Sequence, residues 1–266
     1  MALVYIGTSR FAADLLLALI ERGSGPRLIV SRPDAPQGRG RSLSPPPVAE
    51  LAGSRGIELL QPADVNDPAV ARRVAEIAGD AGAVVLCAFG ALIGGVLLEQ
   101  QPIFNVHPSL LPRWRGAAPI ERAIQAGDAQ TGVSIMGLVA ELDAGPVYGQ
   151  RTLPIESDDD YGTLSAKLVR LSADLLVEVL DSRPEPVSQA AEGVTYAERI
   201  VAADRTIDLS DPELAVRTVR ALHPHIGARL QLPDGQLLGI EQARVESGPR
   251  LVPERVKPPG GRAMSY

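Results

Sequence analysis

The sequence predicts an α/β fold, a larger domain on a mostly parallel sheet followed by a smaller β-rich domain. Three observations carry this. The chain opens strand, helix, strand, and the strands are wholly apolar, as strands buried on both faces are. Short apolar runs then alternate with helical periodicities as far as Val179. After Arg183-Pro-Glu-Pro186 the alternation gives way to a hairpin pattern.

The elements follow in order. Leu3–Ile6 reads as a strand ending at Gly7, and Thr8 or Ser9 caps the next helix. Phe11, Leu15, Leu16 and Leu19 recur at helical spacing until Gly23. Arg27–Val30 is a second strand. Residues 31–47 carry Ser, Pro, Gly and Arg without periodicity and read as a long structureless loop, a feature that is usually functional or disordered. Val48–Ser54 is a short helix, Ile57–Leu60 a strand and Pro68–Ala78 a helix. Ala81–Leu98 is 18 residues without charge, the lower bound for a membrane span. Its glycines at 82, 90, 94 and 95 favour a buried strand, a turn and the start of a helix. Ile103–His107 is the next strand and Ala117–Ala126 a helix closed by Gly127. Gly132–Val139 and Val147–Leu153 are strands joined by Asp-Ala-Gly-Pro146. Leu164, Leu168, Leu171, Leu175 and Val179 line one face of a long helix, with Asp158–Asp160 at its positive end. A short helix at Asp211–Ala221 leads into strands Ala228–Leu232 and Gln236–Ala243, separated by Pro-Asp-Gly. The tail from Pro253 is proline- and glycine-rich.

Composition narrows the classes. With 266 residues, 45% hydrophobic and 22% charged, the chain can bury a core, and disorder is excluded. One cysteine, Cys87, excludes an internal disulfide framework and fits a reducing, cytoplasmic setting. The absence of a basic leader points the same way. Net charge is −6, but it is uneven. Residues 61–200 carry 10 basic and 19 acidic groups, whereas residues 1–60 and 201–266 are each slightly basic. Only Lys167 and Lys257 are lysines, so 24 of the 26 cations are arginines, whose planar forks suit phosphate. Gly7-Thr-Ser is not a dinucleotide fingerprint and gives no support for a nicotinamide cofactor. His223-Pro-His225 reads as a turn, because no second ligand cluster accompanies it.

Chemistry concentrates in Phe104-Asn-Val-His-Pro-Ser-Leu-Leu-Pro-Arg-Trp-Arg-Gly-Ala-Ala-Pro119. Asn105 and His107 stand two apart at a strand end and face one side. Carboxyl ends of strands are where open α/β sheets place their sites. A neutral His is a base worth about 10²–10⁴ in rate. An amide aimed at an oxyanion is worth about 10²–10³. The pair suits acyl transfer to an amine, and Asp143 is available to support His107. Each residue also has a plain reading: a structural strand-end His, an Asn and an Asp that form turns. Spacing leaves both open.

The run Asn105–Ile120 resembles the signature of the folate-dependent formyltransferases. Gly127–Met136, Leu142-Asp-Ala-Gly145, Gly7–Ala12 and Val194–Ala197 continue the similarity, which covers about residues 3–245 and returns at Pro259–Ser265. It implies a Rossmann-like formyltransferase domain over 1–186, a linker over 187–203, and a shortened β-barrel of the oligonucleotide-binding type over 204–266. It also implies that Asn105, His107 and Asp143 are the catalytic trio. Ser109, Leu110, Leu111 and Pro112, with Phe89, Gly90, Ala91 and Leu92, would line the folate pocket. Arg39 and Arg41 would meet tRNA from the long loop. The implied donor is 10-formyltetrahydrofolate, with no metal. The implied acceptor is the methionine α-amino group of initiator methionyl-tRNA, taken up by a monomer with no membrane partner. The family's barrel is usually longer. Between Val245 and Pro258 the chain reads as short by about two strands, which would expose sheet edges unless the tail covers them. Two other functions therefore stay open: formylation of a nucleotide-linked amino sugar, and a truncated paralogue that binds folate or RNA without turnover.

Overall fold

The structure is a computed structural model and describes residues 1–37, 42–247 and 250–266. In chain order the elements are β1 (Leu3–Gly7), α1 (Arg10–Glu21), β2 (Leu28–Val30), β3 (Ala35–Gln37), β4 (Ser42–Ser44), α2 (Pro47–Arg55) and β5 (Glu58–Leu60). There follow α3 (Pro68–Ala78), β6 (Ala83–Cys87), α4 (Gly95–Gln100), β7 (Ile103–His107), β8 (Arg115–Gly116), α5 (Pro119–Ala126) and β9 (Gln130–Gly137). The remainder are β10 (Val147–Pro154), α6 (Tyr161–Ser182), β11 (Tyr196–Ala197), α7 (Pro212–Leu222), β12 (Ala228–Gln231), β13 (Leu237–Glu246), β14 (Arg250–Lys257) and β15 (Met264–Ser265). Two compact units result. One comprises residues 1–107, 133–151 and 169–190; the other comprises 108–132, 152–168 and 191–266.

The first unit carries the seven-stranded sheet, in the order β10-β9-β7-β6-β1-β2-β5. The ladders among β7, β6, β1, β2 and β5 are parallel, and β9 joins β7 antiparallel. Strand order reverses at β1/β6, which places a crevice at the carboxyl ends of these strands. The strands are apolar because both faces are covered: β1, β6 and β7 are buried along their whole length. Ser9 Oγ accepts from Ala12 N and starts α1, whose Phe11, Leu15, Leu16 and Leu19 are buried. Each such side chain contributes about 1.5–3 kcal/mol. Burial pushes the Cys87 thiol up to about 12, so it stays protonated and takes no part as a nucleophile.

The Ala81–Leu98 run resolves into β6, a turn and the start of α4. Among the described residues no helix is long and apolar enough to cross a membrane. The loop expected over 31–47 is only partly structureless: β3 and β4 pair antiparallel through Ala35↔Ser44 and Pro36↔Leu43. Proline is tolerated in such an edge pair.

The second unit contains the antiparallel sheet β12-β13-β14-β15, packed on α7. Asp211 caps α7 through Leu214 N, and Pro212 takes its first turn. Ala215, Val219 and Leu222 meet Ile240, Leu251 and Val256. Arg250–Lys257, running into the proline- and glycine-rich tail, is a full strand. Its pattern is hidden by bulges. Register shifts fall between Ile240 and Gln242 and between Gln242 and Ala243. Leu251 and Val256, five apart, therefore both turn inward, which strict alternation forbids. Pro253 sits opposite Ala243 beside the shift, a place where a missing N–H is tolerated. The end of the chain covers the far edge, as β15 pairs with β14. The sheet fits a small, reduced barrel.

His223 Nδ1 lies 2.9 Å from Asp160 Oδ2, and His225 Nε2 lies 2.9 Å from Glu121 Oε1 with its ring stacked on Tyr161. The turn thus ties α7 to the start of α6 and to α5. Asp160 Oδ1 accepts from Thr163 N and caps α6.

Candidate active site

The first unit gathers Asn105, His107 and Asp143. β7 is buried throughout, so the two inward side chains on its last turn are held with it: Asn105 is 8% exposed and His107 5%. Asp143 arrives from the turn after β9. Its Oδ1 accepts from Asn105 Nδ2 at 3.4 Å, and its Oδ2 lies 3.7 Å from His107 Nδ1. The second distance is longer than a direct hydrogen bond.

The turn bearing Asp143 is over-determined. Asp143 has φ +48°, a left-handed conformation that Asp tolerates better than most residues. Gln189 Nε2 donates to both Asp143 O and Gly145 O at 2.8 Å. A Cβ on Gly145 would stand 1.8 Å from Gly137 O, so only glycine lets the turn close on β9. Gly137 N then donates to Pro146 O at 2.8 Å. On β9, Ser134 stands opposite His107 in register and accepts from Gln150 Nε2. Periodicity gave no signal for Gln189, which lies in the polar stretch after Arg183-Pro-Glu-Pro186. Its role emerges only from contacts 44 to 46 residues away in sequence.

Phe89, Gly90, Ala91 and Leu92 form the turn after β6, the strand beside β7. Phe89 is buried, Gly90 has φ +79° and Leu92 is 82% exposed. The turn is braced by Asn66, whose Nδ2 donates to Leu92 O and whose Oδ1 accepts from Gly94 N. Arg32 donates to Gly90 O.

Ser109, Leu110, Leu111 and Pro112 lie in the second unit. Ser109 is fully buried and its Oγ donates to Arg113 O at 2.6 Å, and Leu111 is also buried. Leu110 and Pro112 keep surface. Asp128, for which the sequence carries no signal of its own, accepts from Arg113 and from the Trp114 indole. Arg39 and Arg41 lie outside the described residues. Among the described residues no group of three or more His, Cys, Asp or Glu is arranged to hold a metal.

Residues 1–180 match the formyl transferase family. The chain is 41% identical to the methionyl-tRNA formyltransferase of Dechloromonas aromatica, covering 93% of this chain and 81% of that protein. It is 39% identical to that of Halorhodospira halophila, covering 99% and 93%. The fold is shared, at TM-score 0.67 and 16% identity over the whole of both chains, with a methionyl-tRNA formyltransferase from Clostridium thermocellum. It is also shared, at TM-score 0.68 and 17% identity, with a sugar N-formyltransferase from a Shewanella species, covering 93% of this chain and 99% of that one. Fold and sequence together define a class, the formyl transferases. The chain belongs to that family, and within it to the methionyl-tRNA formyltransferases.

Proposed function

We propose that this chain transfers the formyl group of 10-formyltetrahydrofolate to the methionine α-amino group of initiator methionyl-tRNA, for translation initiation. The observation that carries the reading is the buried meeting of Asn105, His107 and Asp143 in a chain about 40% identical to methionyl-tRNA formyltransferases. The acceptor amine must lose a proton as it attacks. Asp143 faces His107 Nδ1 and favours the tautomer protonated there, which leaves Nε2 as the base. Asp143 then stabilises the imidazolium. Asn105 has two amide hydrogens: one meets Asp143, and the other is free to donate to the oxyanion that develops on the formyl oxygen.

The folate supplies an activated formyl group. The turn Phe89–Leu92 would meet the folate, with the Leu92 side chain presented to solvent in the loop after β6. Of Ser109–Pro112, Leu110 and Pro112 are the members that could touch a ligand by side chain. Residues 1–186 would carry the chemistry, and 204–266, beyond the linker 187–203, would contribute to holding RNA. Arg39 and Arg41 would reach the acceptor end, where glycine-flanked arginines suit phosphate. The enzyme is read as a cytoplasmic monomer.

The test is formyl transfer from 10-formyltetrahydrofolate to charged initiator methionyl-tRNA, with charged elongator methionyl-tRNA alongside. Formylation of the initiator alone is expected. Transfer to neither would overturn the reading and direct attention to an amino-sugar acceptor. Arg39→Ala should weaken use of tRNA far more than binding of the formyl donor. An equal loss of both would remove Arg39 from the acceptor interface.

A further inference from the structure

The loop that follows His107 in sequence belongs to the second unit, and it builds a site of its own. The single tryptophan of the chain, Trp114, lines an open pocket of about 240 Å³ with Leu110, Arg113, Asp128, Gln130 and Thr131. Trp114 has φ +63°, a conformation that a bulky aromatic adopts only under constraint. Asp128 supplies much of that constraint. Its Oδ2 accepts from Trp114 Nε1 and from Arg113 Nε, both at 2.8 Å, and its Oδ1 accepts from Arg113 Nη2 at 2.6 Å. The Arg113 guanidinium also lies 4.3 Å from the centre of the Trp114 ring. Ser109 Oγ secures the Arg113 carbonyl from below.

A second, independent observation points to a ligand. Thr131 is 3% exposed, and its Oγ1 has no hydrogen-bond partner. A buried hydroxyl left in that state costs about 1–3 kcal/mol. Thr131 lines the pocket, and a rotation of its side chain would bring the enclosed hydroxyl to a bound group.

The walls select the chemistry of that group. Arg113 and Asp128 cancel each other, so the pocket does not favour a phosphate or an ammonium. An indole with a guanidinium against it is a stacking platform for a flat, neutral ring. The Thr131 hydroxyl and the Gln130 amide can meet the polar edge of a heterocycle. The volume is below the roughly 300–1,000 Å³ of pockets that enclose a drug-sized ligand, so one ring system fits better than a whole folate. We propose that the Trp114–Thr131 pocket stacks an unpaired nucleobase from the single-stranded acceptor end of the tRNA substrate. This rests on the proposed function and deepens it by naming side chains that grip the RNA.

Trp114 is its own probe. An RNA tetranucleotide of sequence ACCA should quench the fluorescence of the full-length protein, and the same backbone without bases should not. Equal quenching by both, or by neither, would overturn the inference. Thr131→Val keeps the shape and deletes the orphaned hydroxyl. It should raise the KM for initiator methionyl-tRNA about five- to tenfold, the loss of roughly one hydrogen bond. The KM for the formyl donor should stay within about twofold, and the melting temperature should be unchanged or higher, because the deleted group is unsatisfied in the free protein. A raised KM for the formyl donor instead would assign the pocket to folate and refute the proposal. Absence of formyl transfer by the wild type would count against the proposed function, while the quench, read without turnover, would still decide the pocket.

Discussion

The parallel sheet of the first unit and the antiparallel sheet of the second hold their side chains by different means. In β1, β6 and β7 every residue is buried, and two polar residues among them, Asn105 and His107, face a carboxylate from a distant turn. In β13 and β14 most side chains are half-exposed or exposed, and arginines pair with glutamates across the surface: Arg244 with Glu246 and Glu254, Arg255 with Glu241. The first arrangement suits a site that must be rigid and shielded from water. The second leaves a surface whose charges can be exchanged with little cost, and its stability rests on a small apolar seam against α7.

The largest effect should fall in the first region. His107→Ala is expected to lower the formylation rate by about 10²–10⁴ while leaving the unfolding transition cooperative. An undiminished rate over background would dissolve the contrast, since the buried trio would then be structural. The seam of the second unit comes next. Ile240→Ala removes a side chain that is 1% exposed, and chemical denaturation should show a loss of roughly 2–5 kcal/mol. A negligible loss would mean that the sheet does not depend on α7.

Acid should act on the second unit before it acts on the apolar sheet. Burial pushes the Asp159 carboxyl up, but Lys167, the Glu156 N–H and the Thr163 hydroxyl together hold it below its ordinary value. A carboxyl lowered by folding contributes stability above its unfolded pKa of about 3.9, and that contribution is lost as pH falls through the lower folded value. Asp159→Asn should flatten this acid limb of the stability curve; a limb unchanged in the variant would assign the loss to other carboxyls. The smallest effect is expected for Arg244→Ala, whose side chain is half-exposed. The denaturation midpoint should stay within error. A clear drop would show that the surface pairs act as a network.

Much of the first unit was legible because its signals are local. The strand from Ile103 to His107 and the helix from Pro68 to Ala78 are where apolar runs, caps and glycine stops put them. The candidate trio was nameable through the family signature, and the two strand residues also through their position at a strand end. The second unit was less legible. Two bulges break the alternation of β13 and β14, and the tail strand β15 is two residues long.

The order of strands and helices, the buried faces and the position of Asn105 and His107 on one side of a strand were determined by the sequence itself, because periodicity and capping act over a few residues. The tertiary structure alone decided that Asp143 reaches them and that Gln189 and Gly145 pin its turn. It also turned Ser109 and Leu111 inward, and it left Thr131 as a buried hydroxyl beside Trp114. Those outcomes join residues tens of positions apart, and they follow from strand order and from which polar groups burial leaves to be satisfied, neither of which is written in any local pattern.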